Sequence, residues 1–201
     1  MQLTRLMAAV VLLGALPAAA MAADIGGYLK EQEARKRAQV DAAEVETVMA
    51  RARQGDPEAQ YRLGQAYRNG WGRDKDPVAA MAWLREAADR GFAEAQFALA
   101  TMYETGEGIP TDLRKAREWY EKAAVQGFTD AQVGLAALIA RNDQTALAEA
   151  YMWMEIAAAG GDPNAQSNLG ALAQLLSEAE LAQAQERARR FVPEHPVPSQ
   201  R

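Results

Sequence analysis

Few side chains in this sequence could make or break bonds, and they stand apart from one another. There is one histidine, His195, in a proline-rich tail, and the only serines are Ser167, Ser177 and Ser199. None of the serines opens a Ser-x-x-Lys or lies within Gly-x-Ser-x-Gly, the settings that activate a serine nucleophile. No histidine pair or His/Glu cluster has metal-ligand spacing. Cysteine is absent, which removes thiolate sites and disulfides together. Glu104, Glu107 and Asp112 are close in sequence, and paired carboxylates do acid–base work when buried side by side. Here they flank a glycine turn, where helix capping by Thr111 or Asp112 and solvation account for them. Gly106-Glu107-Gly108 follows a helical pattern rather than a strand and lacks the Gly-Lys-Ser/Thr ending, so it is not a phosphate loop. The chemistry implied is that of a non-enzyme with no catalytic residue, no cofactor and no metal.

The weight therefore falls on the elements, and these repeat. Ala59-Gln60, Ala95-Gln96, Ala131-Gln132 and Ala165-Gln166 recur at a nearly fixed step. Leu63, Leu99, Leu135 and Leu169 keep the same register, as do Trp83, Trp119 and Trp153, the pairs Ala87-Ala88, Ala123-Ala124 and Ala157-Ala158, and Gly55, Gly91, Gly127 and Gly161. A period in this range is the mark of a solenoid of helix pairs. In the first unit, helix A is predicted from Glu58 to Asn69, with Ala59, Leu63 and Tyr67 on one face. Gly70 and Gly72 end it, because glycine tolerates left-handed backbone. Helix B is predicted from Pro77 to Arg90 behind the N-cap Asp76, and Gly91 ends it. Small residues allow helices to cross closely while Trp, Leu and Tyr fill the flanks. The expected repeat core is Leu63, Tyr67, Trp83, Leu99, Tyr103, Trp119, Leu135, Trp153 and Leu169, with the tryptophans plugging the same gap in each repeat.

The second unit is the most regular. It reads Ala95-Gln96-Phe97-Ala98-Leu99, then Met102-Tyr103-Glu104-Thr105-Gly106-Glu107-Gly108-Ile109-Pro110, then Lys115-Ala116-Arg117-Glu118-Trp119-Tyr120. This resembles the Sel-one-like repeat (SLR) family, relatives of the tetratricopeptide repeats, over 55–176. The resemblance implies an all-α, right-handed solenoid of helix-turn-helix repeats, with about nine to ten helices and polar capping helices. It also implies a protein-binding scaffold without catalytic residues. Unit three departs, with Arg141-Asn142-Asp143 in place of the glycine loop and Ile139 in place of Tyr67 and Tyr103. Unit four keeps only its first helix. Ser177-Glu178-Ala179-Glu180 is a capping-box pattern and opens a polar cap helix over 177–191. Residues 23–54 hold a mixed-charge helix, Tyr28 to Val40, and a degenerate half-repeat cap.

Residues 1–22 read as a cleaved secretory signal: Arg5, the apolar run Leu6 to Leu16, and the small-x-small pattern Ala20-Met21-Ala22. The expectation is an exported, periplasmic protein of a bacterial envelope, cut after Ala22. It has no cysteine to acylate as a lipoprotein and no span once the signal is gone. The net charge is −5, and removing 1–22, which carry one arginine and no acid, makes the rest more acidic. No basic stripe stands out apart from Arg35-Lys36-Arg37, so a nucleic-acid partner is disfavoured. The tail 192–201 is proline-rich and expected to be disordered.

Spacing of four and three puts Tyr61, Gln65 and Arg68 on a second face of helix A. Their counterparts are Phe97, Thr101 and Glu104; Val133, Ala137 and Ala140; and Ser167, Ala171 and Gln174. By the tetratricopeptide resemblance this face lines a concave groove, where a protein partner would lie. Tyr61 and Phe97 have an alternative use in packing between repeats, which leaves Gln65, Arg68, Thr101 and Glu104 as the better contacts. Three functions are compatible with the sequence: an envelope scaffold, a periplasmic regulator restraining a membrane sensor, and, least supported, a cell-wall hydrolase. The polar ends favour a monomer.

Overall fold

The computed structural model describes residues 44–193. The expected export signal 1–22, the mixed-charge stretch Tyr28 to Val40 and the tail with His195 lie outside the described residues. Within them the secondary structure is all helical. A first helix, α1, occupies 44–53. Three A–B hairpins follow: α2 (Pro57–Asn69) with α3 (Pro77–Asp89), α4 (Ala93–Thr105) with α5 (Leu113–Val125), and α6 (Thr129–Asn142) with α7 (Leu147–Ala159). A fourth helix A, α8 (Pro163–Ala173), and a last helix, α9 (Glu178–Arg189), complete the chain. Each A packs on its own B and each B on the next A, which is the nearest-neighbour arrangement of an α-solenoid.

The junctions explain the repeat columns. At the end of α3, Gly91 N–H donates to the Ala88 carbonyl and Phe92 N–H to the Ala87 carbonyl. Gly91 has φ +86°, so this is a Schellman stop, and the left-handed residue is glycine. Gly127 and Phe128 do the same with Ala124 and Ala123, and Gly161 and Asp162 with Ala158 and Ala157. The buried glutamine of the next unit then locks the turn. Gln60, Gln96 and Gln132 donate from Nε2 to the carbonyls of Ala52, Ala88 and Ala124, at 3.2, 3.1 and 3.1 Å. The Ala-Gln step thus ties the start of each helix A to the end of the helix B before it.

Helix A ends on left-handed glycine, Gly70 or Gly106, in the first two units. Asp76 and Asp112 cap the following helices. In unit three, Asp143 instead caps a 3₁₀ turn, Gln144–Ala146, accepting from Thr145 N–H at 3.0 Å. This turn replaces the glycine loop.

Leu63, Leu84, Leu99 and Leu135 are fully buried, each worth about 1.5–3 kcal/mol over an exposed leucine. The crossing of α2 and α3 is so close that a Cβ on Gly64 would meet Leu84 at 2.7 Å. Three of the expected core residues are only half-buried: Tyr67, Trp83 and Leu169. All three belong to the first or last unit, which has a full repeat on only one side among the described residues. The buried tryptophans have different ring neighbours. Trp119 lies under the cations Arg85 and Lys122, 5.5 and 3.8 Å from its ring centre. Trp153 meets the edge of Phe191 at 5.4 Å.

Phe191 follows α9, and that helix is not where a stack-ending cap was expected. Its capping box forms: Glu180 Oε2 accepts from Ser177 N–H at 2.9 Å, and Ser177 Oγ accepts from Glu180 N–H at 3.4 Å. But α9 packs on α7 rather than following α8 in the stack. The reason is in α7, where Ala150, Tyr151, Met152, Trp153, Met154 and Ala157 are all buried. A helix apolar on every side needs cover on every side, and α9 supplies the part that α6 and α8 cannot.

A candidate protein-binding face on the first helices

The expected groove positions fall on one continuous face of α2, α4 and α6. Tyr61, Gln65, Arg68, Phe97, Thr101 and Glu104 are all half-buried, as are Val133, Ala137 and Ala140. Ser167, Ala171 and Gln174 on α8 are exposed.

Much of the face is already bonded within the chain. The Tyr61 ring packs on Phe92 at 5.4 Å, and Phe97 on Tyr120 and Phe128 at 5.7 and 5.5 Å. The two aromatics therefore serve the contact between repeats. Arg68 Nε donates to Glu107 Oε2 at 2.7 Å, and Arg68 Nη1 to Thr101 Oγ1 at 3.5 Å. Glu104 accepts from the Tyr120 hydroxyl at 2.7 Å and from Arg141 of the next helix A. Arg68, Thr101 and Glu104, picked out by spacing as free contacts, thus join neighbouring repeats to one another. The missed signal was the alternation of charge: Arg68 stands one repeat before Glu104 at the same register, Arg141 stands one residue past the equivalent position of the next repeat, and Glu107 lies one turn on.

This cluster also shows what the site does not do. Burial first, and then the hydrogen bond to Glu104, push the Tyr120 phenol well above its ordinary range. It stays a donor at neutral pH and is no base. Among the described residues no group of three or more His, Cys, Asp or Glu could hold a metal ion. No described helix is long and apolar enough to cross a membrane.

What remains open on the face lies at its two ends. Near α1 a recess of about 460 Å³ is lined by Val45, Val48, Tyr61, Gln65, Ala66 and the exposed Trp71, together with the charged Glu44 and Arg62. Gln65 donates from Nε2 to the Tyr61 hydroxyl at 3.0 Å. Its Oε1 is buried and receives no hydrogen bond among the described residues. Further along, Val133, Ala137 and Ala140 present short apolar side chains.

Sel1 repeats match residues 57–92, 93–128 and 131–162. The crystal structure of a Sel1 repeat protein from Oxalobacter formigenes is similar, with 35% identity and a TM-score of 0.56, covering 63% of this chain and 97% of that one. A protective antigen present in uropathogenic Escherichia coli strains, displaying an SLR fold, is similar at 31% identity with a TM-score of 0.63. That match covers 74% of this chain and 33% of the antigen, so this chain spans about a third of its length. No curated protein matches.

Proposed function

Because the chain belongs to the Sel1-repeat family, whose members generally mediate protein–protein interactions, we propose that it is a non-catalytic scaffold. In this reading it is exported to the cell envelope and holds an extended segment of a partner protein along the helix-A face. The observation that carries the reading is the recess at the start of that face. It combines largely apolar walls with a buried carbonyl, Gln65 Oε1, that has no donor among the described residues. A buried acceptor left unpaired costs about 1–3 kcal/mol, and a backbone N–H of an extended partner segment would satisfy it. The partner would then run past the neutralised Arg68–Glu107 and Glu104–Arg141 pairs to the short apolar side chains of α6. Export is supported by the Arg5, Leu6 to Leu16 and Ala20-Met21-Ala22 pattern.

Arg68 and Glu104 are poor test positions, since each bridges repeats. Ala137 is better, because it is half-buried on the same face. Ala137→Glu is expected to abolish co-purification of envelope partners while the thermal melt stays within a few degrees of the unaltered chain. Undiminished co-purification would rule out this face.

A further inference from the structure

The last helix of the stack lacks the cover that every earlier helix A receives. Gln60, Gln96 and Gln132 are buried, and so are the residues four positions on, Gly64, Ala100 and Ala136. In α8 the corresponding Gln166 and Gly170 are exposed. A Cβ on Gly170 would meet nothing within 4 Å, whereas one on Gly64 would strike Leu84 of its own helix B. The seat of a fourth helix B is therefore open among the described residues, since α9 lies on α7. Leu175, just beyond α8, is 63% exposed. No residue from Pro163 to Leu176 is charged, although 24% of the chain is, and α8 is the only described α-helix of which this is true.

We propose that the open face of α8 pairs with the same face of a second copy of this chain across a two-fold axis. A two-fold contact sets a surface against itself. Any charged residue near the axis then faces its own like charge, and in a chain of net charge −5 most surfaces repel their copies. The α8 face escapes this. The polar groups in line with Gly170, Gln166 and Gln174, are amides, which carry donors and an acceptor together and so bond to their own kind. Gly170 lets two helix backbones come close, and Leu175 adds apolar area. A charged foreign helix would find no countercharge here. The expectation of a monomer rested on a polar helix closing the stack, and that helix lies elsewhere. One helix face buries less than the roughly 1,600 Å² of a standard stable interface, so the pair forms only at high concentration.

The test is sedimentation velocity on the chain purified from the cell, over a concentration series at physiological salt. The unaltered chain should shift from monomer to dimer as concentration rises. Gly170→Glu, at a position where a Cβ would meet nothing within 4 Å, should stay monomeric over the same series with no lowering of the melt. If that variant folds poorly, Gln166→Glu, close to isosteric, replaces it. A chain that remains monomeric throughout overturns the proposal. So does a dimer that both variants leave intact, because its interface then lies elsewhere. A synthetic peptide of residues Leu113–Val125 serves as a stand-in for a foreign helix B. Binding of that peptide to a monomeric chain, lost in Gly170→Glu, would make the occupant a foreign helix and likewise overturn pairing between copies.

Discussion

At the residue scale, the glutamine of the Ala-Gln step ties adjacent repeats together. Gln96 Nε2 donates to the Ala88 carbonyl at 3.1 Å, and Gln96 Oε1 accepts from Gln126 at 2.7 Å. Gln96→Ala leaves a buried carbonyl with one bond fewer and is expected to lower stability by about 1–3 kcal/mol, read as a shift in denaturation midpoint at constant slope. Gln166→Ala, at the exposed end of the column, should change it by less than about 0.5 kcal/mol. The caps set the response to acid. Backbone N–H of Ala59 and then the Arg51 guanidinium hold the Asp56 carboxyl below its ordinary value of 3.8. The Lys115 N–H does the same for Asp112. A carboxyl lowered in the folded state stabilises above its unfolded value, and that contribution disappears as the pH falls through the folded value. The melting temperature should therefore decline as the pH drops below 3.8. In the Asp56→Asn, Asp112→Asn double variant, which keeps both caps, the decline should be shallower. Titrating the melting temperature of the two proteins in parallel decides it. The column of glutamines was legible from spacing alone. Its purpose was not, because the acceptor is a carbonyl eight residues earlier that becomes available only once the Schellman turn has formed.

At the element scale, the A–B hairpins were readable because their signals are local. Asp76 before Pro77, Gly91 after Asp89 and the Ser177–Glu180 box all act within one turn of the residue that announces them. The position of α9 was not readable in that way. It depends on α7 being apolar on all sides, and Tyr151, Met152 and Met154 carried that signal without naming the element that answers it. Phe191→Ala removes the ring against Trp153 and should cost about 1–3 kcal/mol. Trp153 should become accessible, seen as a red shift and stronger quenching of tryptophan emission. An unchanged emission spectrum would mean that α9 does not cover α7. The same comparison explains the face of α2, α4 and α6. Periodicity located Tyr61, Gln65, Arg68, Phe97, Thr101 and Glu104 on it. Only the folded geometry shows that all six make contacts within the chain, with Gln65 Oε1 alone left without a donor among the described residues.

For the whole molecule, the bonding within the chain narrows the groove to the parts it leaves open. The ion pairs from Arg68 to Glu107 and from Arg141 to Glu104 stiffen the middle of the face. In the proposed reading, the recess beside Gln65 and the short side chains of α6 are left for a partner. The direct test is a photo-reactive residue placed at Gln65 or at Ala137, with the exposed Glu118 of α5 as the control on another surface, followed by crosslinking in the living cell and mass spectrometry. The account predicts that one protein is captured from both Gln65 and Ala137 and not from Glu118. Capture that is equal at Glu118, or absent from both groove positions, would contradict it.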